Sequence, residues 1–290
     1  MRLVRVSKDP IMIPREEVEW EKDAVFNCAM IYEYKKFHMF YRAVRHPNIS
    51  AIGYAISEDG IHFKRQDKPI FRSNECVEES QGAEDPRIVK IGNTYYILYT
   101  AYDGKKCRIA MATSPNLIEW DKRGVILDHE KFGNNKDAAF FPEKIKGRYV
   151  LIHRPEPDVY LSFSDDLFNW KDHKCIMKSE CEWESEKIGL GAPPIKTNRG
   201  WLVVYHGVDK DKVYRLGIAL FNLNNPTIII KRQKEPILEP EYEWELKGDV
   251  PNVVFSCGAV LLDSELWVYY GGADKVIGLA KADVSEFLGI

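Results

Sequence analysis

The sequence predicts an all-β fold, a five-bladed β-propeller, and three observations carry that expectation. An apolar, aromatic-rich strand pattern recurs five times, a second strand-like run follows each copy, and long amphipathic helical patterns are missing. The first runs are FHMFYRAV (37–44), YYILYTAY (95–102), YVLIHRPE (149–156), WLVVYHGV (201–208) and LWVYYGGA (266–273). Their partners are IGYAIS (52–57), IAMATS (109–114), VYLSFS (159–164), LGIALF (216–221) and IGLAKA (277–282). Both sets are short and rich in Tyr, Val, Ile and Trp, residues suited to a pleated, half-buried surface.

Three of the second runs lead into one type of turn: SEDGIHF from Ser57 to Phe63, SPNLIEW from Ser114 to Trp120 and SDDLFNW from Ser164 to Trp170. Equivalent runs lie roughly 50 to 65 residues apart, room for a four-stranded sheet with its loops. A β-sandwich supplies many strands but not five copies of one unit. The expectation is a single domain over residues 1–290, with residues 1–26 helping to close the ring.

At 290 residues the chain can bury a full core, and 45 % hydrophobic with 29 % charged residues is ordinary for a soluble protein. A net charge of −3 gives no reason to expect nucleic acid or an anionic membrane as partner. The N-terminus lacks the apolar core of a secretory signal, and the most apolar stretch, VVFSCGAVLL, is too short to span a bilayer. Cys28, Cys76, Cys107, Cys175, Cys181 and Cys257 include no C-x-x-C pair, which suits reduced thiols in a cytoplasmic protein. A homo-oligomer is compatible with all of this.

A propeller gathers strand ends around one axial depression, and the first runs pass from apolar into polar residues there. Arg42, Tyr102 with Asp103, His153 with Arg154, His206, and Asp274 are the residues concerned. A second concentration of charge lies in GAEDPRIVKI (82–91), where Glu84 and Asp85 precede Pro86, Arg87 and an apolar alternation. Adjacent carboxylates before a core strand repel each other and cost free energy to bury, so they call for a function.

Four longer stretches extend these motifs: GAEDPRIVKIGNTYYILYTAYDG, NKDAAFFPEKIKGRYVLIHRP, KIGLGAPPIKTNRGWLVVYHGV and GDVPNVVFSCGAVLLDSELWVYYGGAD. Through them the chain resembles the β-mannoside phosphorylases of glycoside hydrolase family 130, from about Asn27 to Ala280. The resemblance implies a five-bladed propeller, in agreement with the repeat count. It also implies that Asp85 is the general acid, protonating the glycosidic oxygen through a hydroxyl of the mannosyl residue. Phosphate would attack the anomeric carbon from the opposite face and release α-mannose 1-phosphate. Alternation along an extended strand would send Glu84 to the other side, into a structural pairing role.

An inverting hydrolase needs an acid and a base, whereas a phosphorylase needs one acid and cations to hold an anion that is already nucleophilic. Matching the family's phosphate-binding pattern are Lys136 in NKDAAFFP, Arg154 in HRP, Lys187 in KIGLG and His206 in YHG. Taken singly, the lysines also read as solvated surface groups and His206 as a core histidine satisfied by backbone. Asn27, Arg42 and Asp274 resemble the family's mannose-binding residues, and Tyr102 offers a stacking face to the leaving sugar. Asp137 is a weaker sugar ligand, its rival reading a pairing with Lys136 or a cap on the turn. No Gly-rich phosphate loop, metal-ligand spacing or nucleophile elbow is present, so no cofactor or metal is expected and inorganic phosphate is a co-substrate.

The expected activity is that of a glycosyltransferase-type phosphorylase acting on a β-mannoside di- or oligosaccharide. RAVRHPNISAIGYA departs from the β-1,4 enzymes and turns the linkage expectation towards β-1,2-mannobiose or oligomannan. A hydrolase on the same scaffold and a non-catalytic carbohydrate-binding propeller are the alternatives. The basic residues oppose the first. Blades carrying different polar residues, unlike the repeated sites of a lectin, oppose the second.

Overall fold

The computed structural model describes residues 1–47, 49–72, 77–127 and 129–289; Cys76 lies outside them. Blade 1 comprises strands Ala24–Glu33, Lys36–Arg45, Ile49–Ser57 and Lys64–Arg65. Blade 2 comprises Gly82–Ile91, Thr94–Tyr102, Cys107–Ser114 and Asp121–Val125. Blade 3 comprises Asn135–Phe140, Tyr149–Pro155, Val159–Ser164 and Lys171–Met177. Blade 4 is built on Lys187–Leu190, Trp201–Val208, Tyr214–Phe221 and Ile229–Arg232. Blade 5 takes Val254–Leu262, Glu265–Gly272 and Val276–Asp283 from the C-terminal end of the chain, and its outer strand, Val4–Arg5, from the N-terminal end.

That last pairing, Val4 opposite Lys281 and Arg5 opposite Ala280, joins the two ends of the chain in one sheet, as expected for residues 1–26. Five buried apolar clusters seal the junctions of blades 1 with 2, 2 with 3, 3 with 4, 4 with 5 and 5 with 1, so the ring of cores is complete. The fold is a five-bladed β-propeller. The repeated runs are the second and third strands of each blade. The innermost strands, which line the axis, precede them. No helix among the described residues is long and apolar enough to cross a membrane.

The serine turns are one structure used three times. The Oγ atoms of Ser57, Ser114 and Ser164 accept the N–H of Gly60, Leu117 and Leu167 at 2.9, 2.9 and 3.0 Å. Those three acceptor-facing residues all sit at positive φ, between 69° and 74°. An Asx side chain two residues after each serine accepts the next two amides, a local substitute for strand pairing.

A second repeat holds the outer strand of blades 1, 2, 4 and 5 to its inner edge. Short helical turns carrying Glu21, Glu184 and Glu245 bury a carboxylate completely ahead of blades 1, 4 and 5. Each carboxylate pairs with an arginine from its blade's outer strand, Arg65, Arg232 or Arg5, at 3.0, 2.7 and 2.8 Å. Tyr41 and Tyr270 donate to Glu21 and Glu245, while Tyr205 accepts from Arg232. Trp20, Trp183 and Trp244 stack on these tyrosines at 6.0, 5.8 and 5.8 Å. Glu79, paired with Lys122, does the same for blade 2. Blade 3 differs: His153 stands at the tyrosine position, bonded to Asn135 and Ser162.

The ring packs against a neighbouring strand so closely that glycine is required there. A Cβ at Gly217 would lie 2.3 Å from Cζ of Tyr205, and one at Gly53 2.4 Å from Cζ of Tyr41. Gly217→Ala is therefore expected to cost about 1–3 kcal/mol through overpacking. Thermal melts check it, and an unchanged midpoint would show that the tyrosine module yields freely.

Candidate active site

The inner strands of blades 1, 2 and 3 carry a bulge at the same point. Pairing with the second strand slips between Phe26 and Ala29, between Glu84 and Arg87, and between Lys136 and Ala139. Each bulge holds one residue in the left-handed region, Asn27 at φ 46°, Asp85 at 51° and Asp137 at 53°. Asn and Asp tolerate that conformation better than other residues bearing a Cβ, and bulges re-aim side chains beside active sites. Here the three re-aimed side chains line one inner cavity near the axis.

The bulge also corrects the expectation for Glu84. Alternation would separate it from Asp85, yet one guanidinium binds both: Arg42 Nη2 donates to Glu84 Oε1 at 2.7 Å and Nη1 to Asp85 Oδ1 at 3.2 Å. The pairing role is present, but on the cavity side, where Glu84 also lies 4.0 Å from Lys136 Nζ. Asn27 Nδ2 donates to Asp85 Oδ1 at 2.9 Å, and its own Oδ1 is buried without a partner among the described residues.

Charge is distributed unevenly among these groups. Burial pushes the Asp85 pKa up, but Arg42, Lys136, the Asn27 hydrogen bond and Arg87 outweigh it and hold the carboxyl below its ordinary value. Asp274, from the turn closing the last hairpin of blade 5, goes the other way. Burial, with repulsion from Asp85, Asp249 and Glu84, outweighs Arg42 and raises it to about 7. Burial opposes the Lys136 ammonium, and Glu84, Cys107 and Asp85 outweigh that and raise its pKa.

The other wall is built on Asp137. Its Oδ2 accepts from Arg154 Nε at 2.7 Å and its Oδ1 from Arg87 Nη2 at 3.2 Å. Asp137 pairs with these arginines, not with Lys136. Burial works against its charge, and Arg154 and Arg87 overcome that and hold it well below the carboxylate range. Lys187 Nζ and Arg154 Nη1 both donate to Glu156 Oε1, the former at 3.2 Å. His206 is wholly buried between Tyr214 and Phe255, and burial lowers it to about 3, so the ring is neutral. Among the described residues, neither of its nitrogens has a hydrogen-bond partner. A buried polar group without a partner calls for an explanation, and this one lines the inner cavity.

Nine residues named from sequence, Asn27, Arg42, Asp85, Lys136, Asp137, Arg154, Lys187, His206 and Asp274, line the inner cavity of about 170 Å³. Tyr102 lines an adjoining outer cavity of about 800 Å³, which shares Arg42, Lys136, Arg154 and Asp274 with the inner one. Asp103 and His153 do not line either cavity. Asp103 binds Arg108 and the Lys105 and Lys106 amides, and His153 is buried within blade 3. Sequence reasoning missed Glu156, Cys107, His46 and Asp249, which line the outer cavity. Glu156, two residues after Arg154 in a charged run, was the most accessible of these from sequence.

The family model described as β-1,4-mannooligosaccharide phosphorylase, glycoside hydrolase family 130, matches residues 16–290. The chain belongs to glycoside hydrolase family 130. Among relatives of this family-130 protein, a 1,2-β-oligomannan phosphorylase of Thermoanaerobacter sp. (strain X514) is 51 % identical over 297 residues, covering 99 % of both chains. A β-1,2-mannobiose phosphorylase of the same organism is 52 % identical over 296 residues, covering 96 % of both. The solved β-1,2-mannobiose phosphorylase of Listeria innocua, in complex with β-1,2-mannobiose, superposes with a TM-score of 0.90 at 28 % identity, over 100 % of this chain and 99 % of that one.

The raised pKa of Asp274 gives this family-130 protein a pH-dependent stability. With the folded value near 7 and the unfolded value about 3.9, the folded state holds the extra proton between them. Stability contributed by this group therefore falls as pH rises from about 4 to 7. Asp274→Asn is expected to raise the melting temperature over wild type at pH 8 and to lose that gain towards pH 4. An equal effect at both values would contradict the assignment.

Proposed function

We propose that the protein catalyses inverting phosphorolysis of β-1,2-linked mannobiose or oligomannan, giving α-mannose 1-phosphate and a shortened acceptor. The observation that carries this reading is one inner cavity in which Asp85 shares the walls with Lys136, Arg154, Lys187 and the unpartnered His206. The β-1,2 linkage is supported by the two Thermoanaerobacter relatives at 51 % and 52 % identity.

In this mechanism Asn27, Arg42 and Asp274 hold the mannosyl residue and Tyr102 faces the leaving sugar. Lys136, Arg154 and Lys187 hold phosphate by charge-assisted hydrogen bonds, and the neutral His206 adds a hydrogen bond but no charge. Asp85 is ionised in the sugar-free pocket, so it must gain a proton before it acts. Phosphate supplies the reason: its negative charge, placed among the cations that depress Asp85, raises the carboxyl. The proton then passes through a mannosyl hydroxyl to the glycosidic oxygen as phosphate oxygen bonds to the anomeric carbon. The C–O bond to the leaving sugar breaks, and its electron pair takes that proton.

Hydrolysis would need a base to activate water. Glu156 is the carboxylate among the cations, but Arg154 and Lys187 hold it below its ordinary pKa against the effect of burial, which makes it a poor base. Inorganic phosphate is a co-substrate, no cofactor is required, and the whole chain, 1–290, acts as one catalytic domain. The free thiols of Cys28, Cys107, Cys175, Cys181 and Cys257 are consistent with a cytoplasmic enzyme.

Disaccharide consumption is expected to depend on inorganic phosphate. Equal release of free mannose in phosphate-free buffer would replace phosphorolysis by hydrolysis. Asp85→Asn should lower turnover of an unactivated disaccharide by about 10²–10⁴-fold with the fold intact. Near-wild-type turnover would remove Asp85 from the mechanism. Arg154→Ala should weaken phosphate affinity by about 10- to 150-fold, the value of a charged hydrogen bond, and affect mannoside affinity less. Parallel losses for both substrates would misplace the anion site.

A further inference from the structure

Glu156 follows the second strand of blade 3 and lines both cavities. Its Oε1 accepts from Arg154 and Lys187, two cations of the anion site, and it is ionised for the reasons given above. Among the described residues, its Oε2 accepts no hydrogen bond from the protein. Asp137, the other carboxylate on this wall, has both oxygens engaged by buried arginines. Glu156 is half-exposed, with 53 % of its side chain accessible, so it is not needed to fill the core.

We propose that Glu156 makes the anion site read a proton on its ligand, admitting phosphate and rejecting sulfate; the inference rests on the phosphorolytic reading. The two anions have the same tetrahedral shape. At neutral pH sulfate offers only acceptors, whereas inorganic phosphate keeps at least one P–OH. An ionised carboxylate is an acceptor only. Facing P–OH it accepts a charge-assisted hydrogen bond, and facing a bare sulfate oxygen it meets only repulsion. Specificity thus comes from a repulsive element set among attractive ones. The chemistry balances: an unprotonated phosphate oxygen bonds to the anomeric carbon, the leaving sugar takes the proton from Asp85, and the P–OH stays on the mannose 1-phosphate monoester, against Glu156.

The test titrates inorganic phosphate and sulfate separately into the intact protein by calorimetry, with sulfate also measured as a competitor of phosphate in turnover. Wild type should bind phosphate at least about tenfold more tightly than sulfate. Glu156→Gln, which offers an amide N–H to sulfate, should shrink that ratio by about tenfold or more, chiefly by tightening sulfate. Glu156→Ala should shrink it in the same direction. A carboxylate that merely orders Arg154 and Lys187 would shift both affinities by one factor, and an unchanged ratio in both variants overturns the proposal. Wild type that binds sulfate as tightly as phosphate overturns it too. Phosphate-dependent turnover separates these results from failure of the phosphorolytic reading, which would appear as wild-type turnover indifferent to either anion.

Discussion

Arg87 is a guanidinium with almost no solvent contact at the propeller axis, and four bonds from it define the site. Nη1 donates to the Asp85 carbonyl at 3.2 Å, Nη2 to Asp137 and the Leu190 carbonyl at 3.2 and 2.7 Å, and Nε to the Gly191 carbonyl at 2.7 Å. One side chain thereby joins the inner strands of blades 2 and 3 to the chain leaving that of blade 4. It fixes the bulge that aims Asp85 and the carboxylate that aims Arg154. A buried cation of this kind is sustained only by complete pairing, and removing one partner of such a pair costs about 3–5 kcal/mol. The proposed acid, Asp85, and one proposed anion-binding cation, Arg154, are therefore positioned through a single buried side chain.

Around that axis the blades repeat one solution to a mechanical problem. Each short outer strand has to be held, and in blades 1, 4 and 5 a buried glutamate, a tyrosine and an outer-strand arginine hold it beneath a tryptophan. In blade 3 this device is replaced by His153, Ser162 and His173. Arg154 follows His153 directly, so the departure from the repeat lies beside a residue of the proposed anion site.

Much of this was legible in the sequence. The second and third strands announced themselves by aromatic alternation, and the serine turns by identical spacing. The inner strands were harder to see because a strand such as KIGL has four residues and others are broken by a bulge. Periodicity of two, which placed the long strands, failed at Glu84 because the bulge puts it and Asp85 on one guanidinium. The pairing of Asp137 with Arg87 and Arg154 spans 50 and 17 residues, and no local pattern encodes it. The E-W-E triplets at 19–21, 182–184 and 243–245 were readable as a repeat. Their role was not, because each needs the tyrosine and arginine of its own folded blade.

The free pocket keeps Asp85 ionised and Asp274 close to half-protonated at neutral pH, an arrangement that favours anion entry before proton transfer. Catalysis would then be ordered by electrostatics. Proton NMR of the anomeric signals during the first turnovers, with β-1,2-mannobiose and inorganic phosphate, tests this most directly. Inversion at a site with Asp85 on one wall and Arg154 and Lys187 on the other gives α-mannose 1-phosphate as the first mannosyl product. The β-phosphate, or free mannose preceding any phosphate ester, would contradict it.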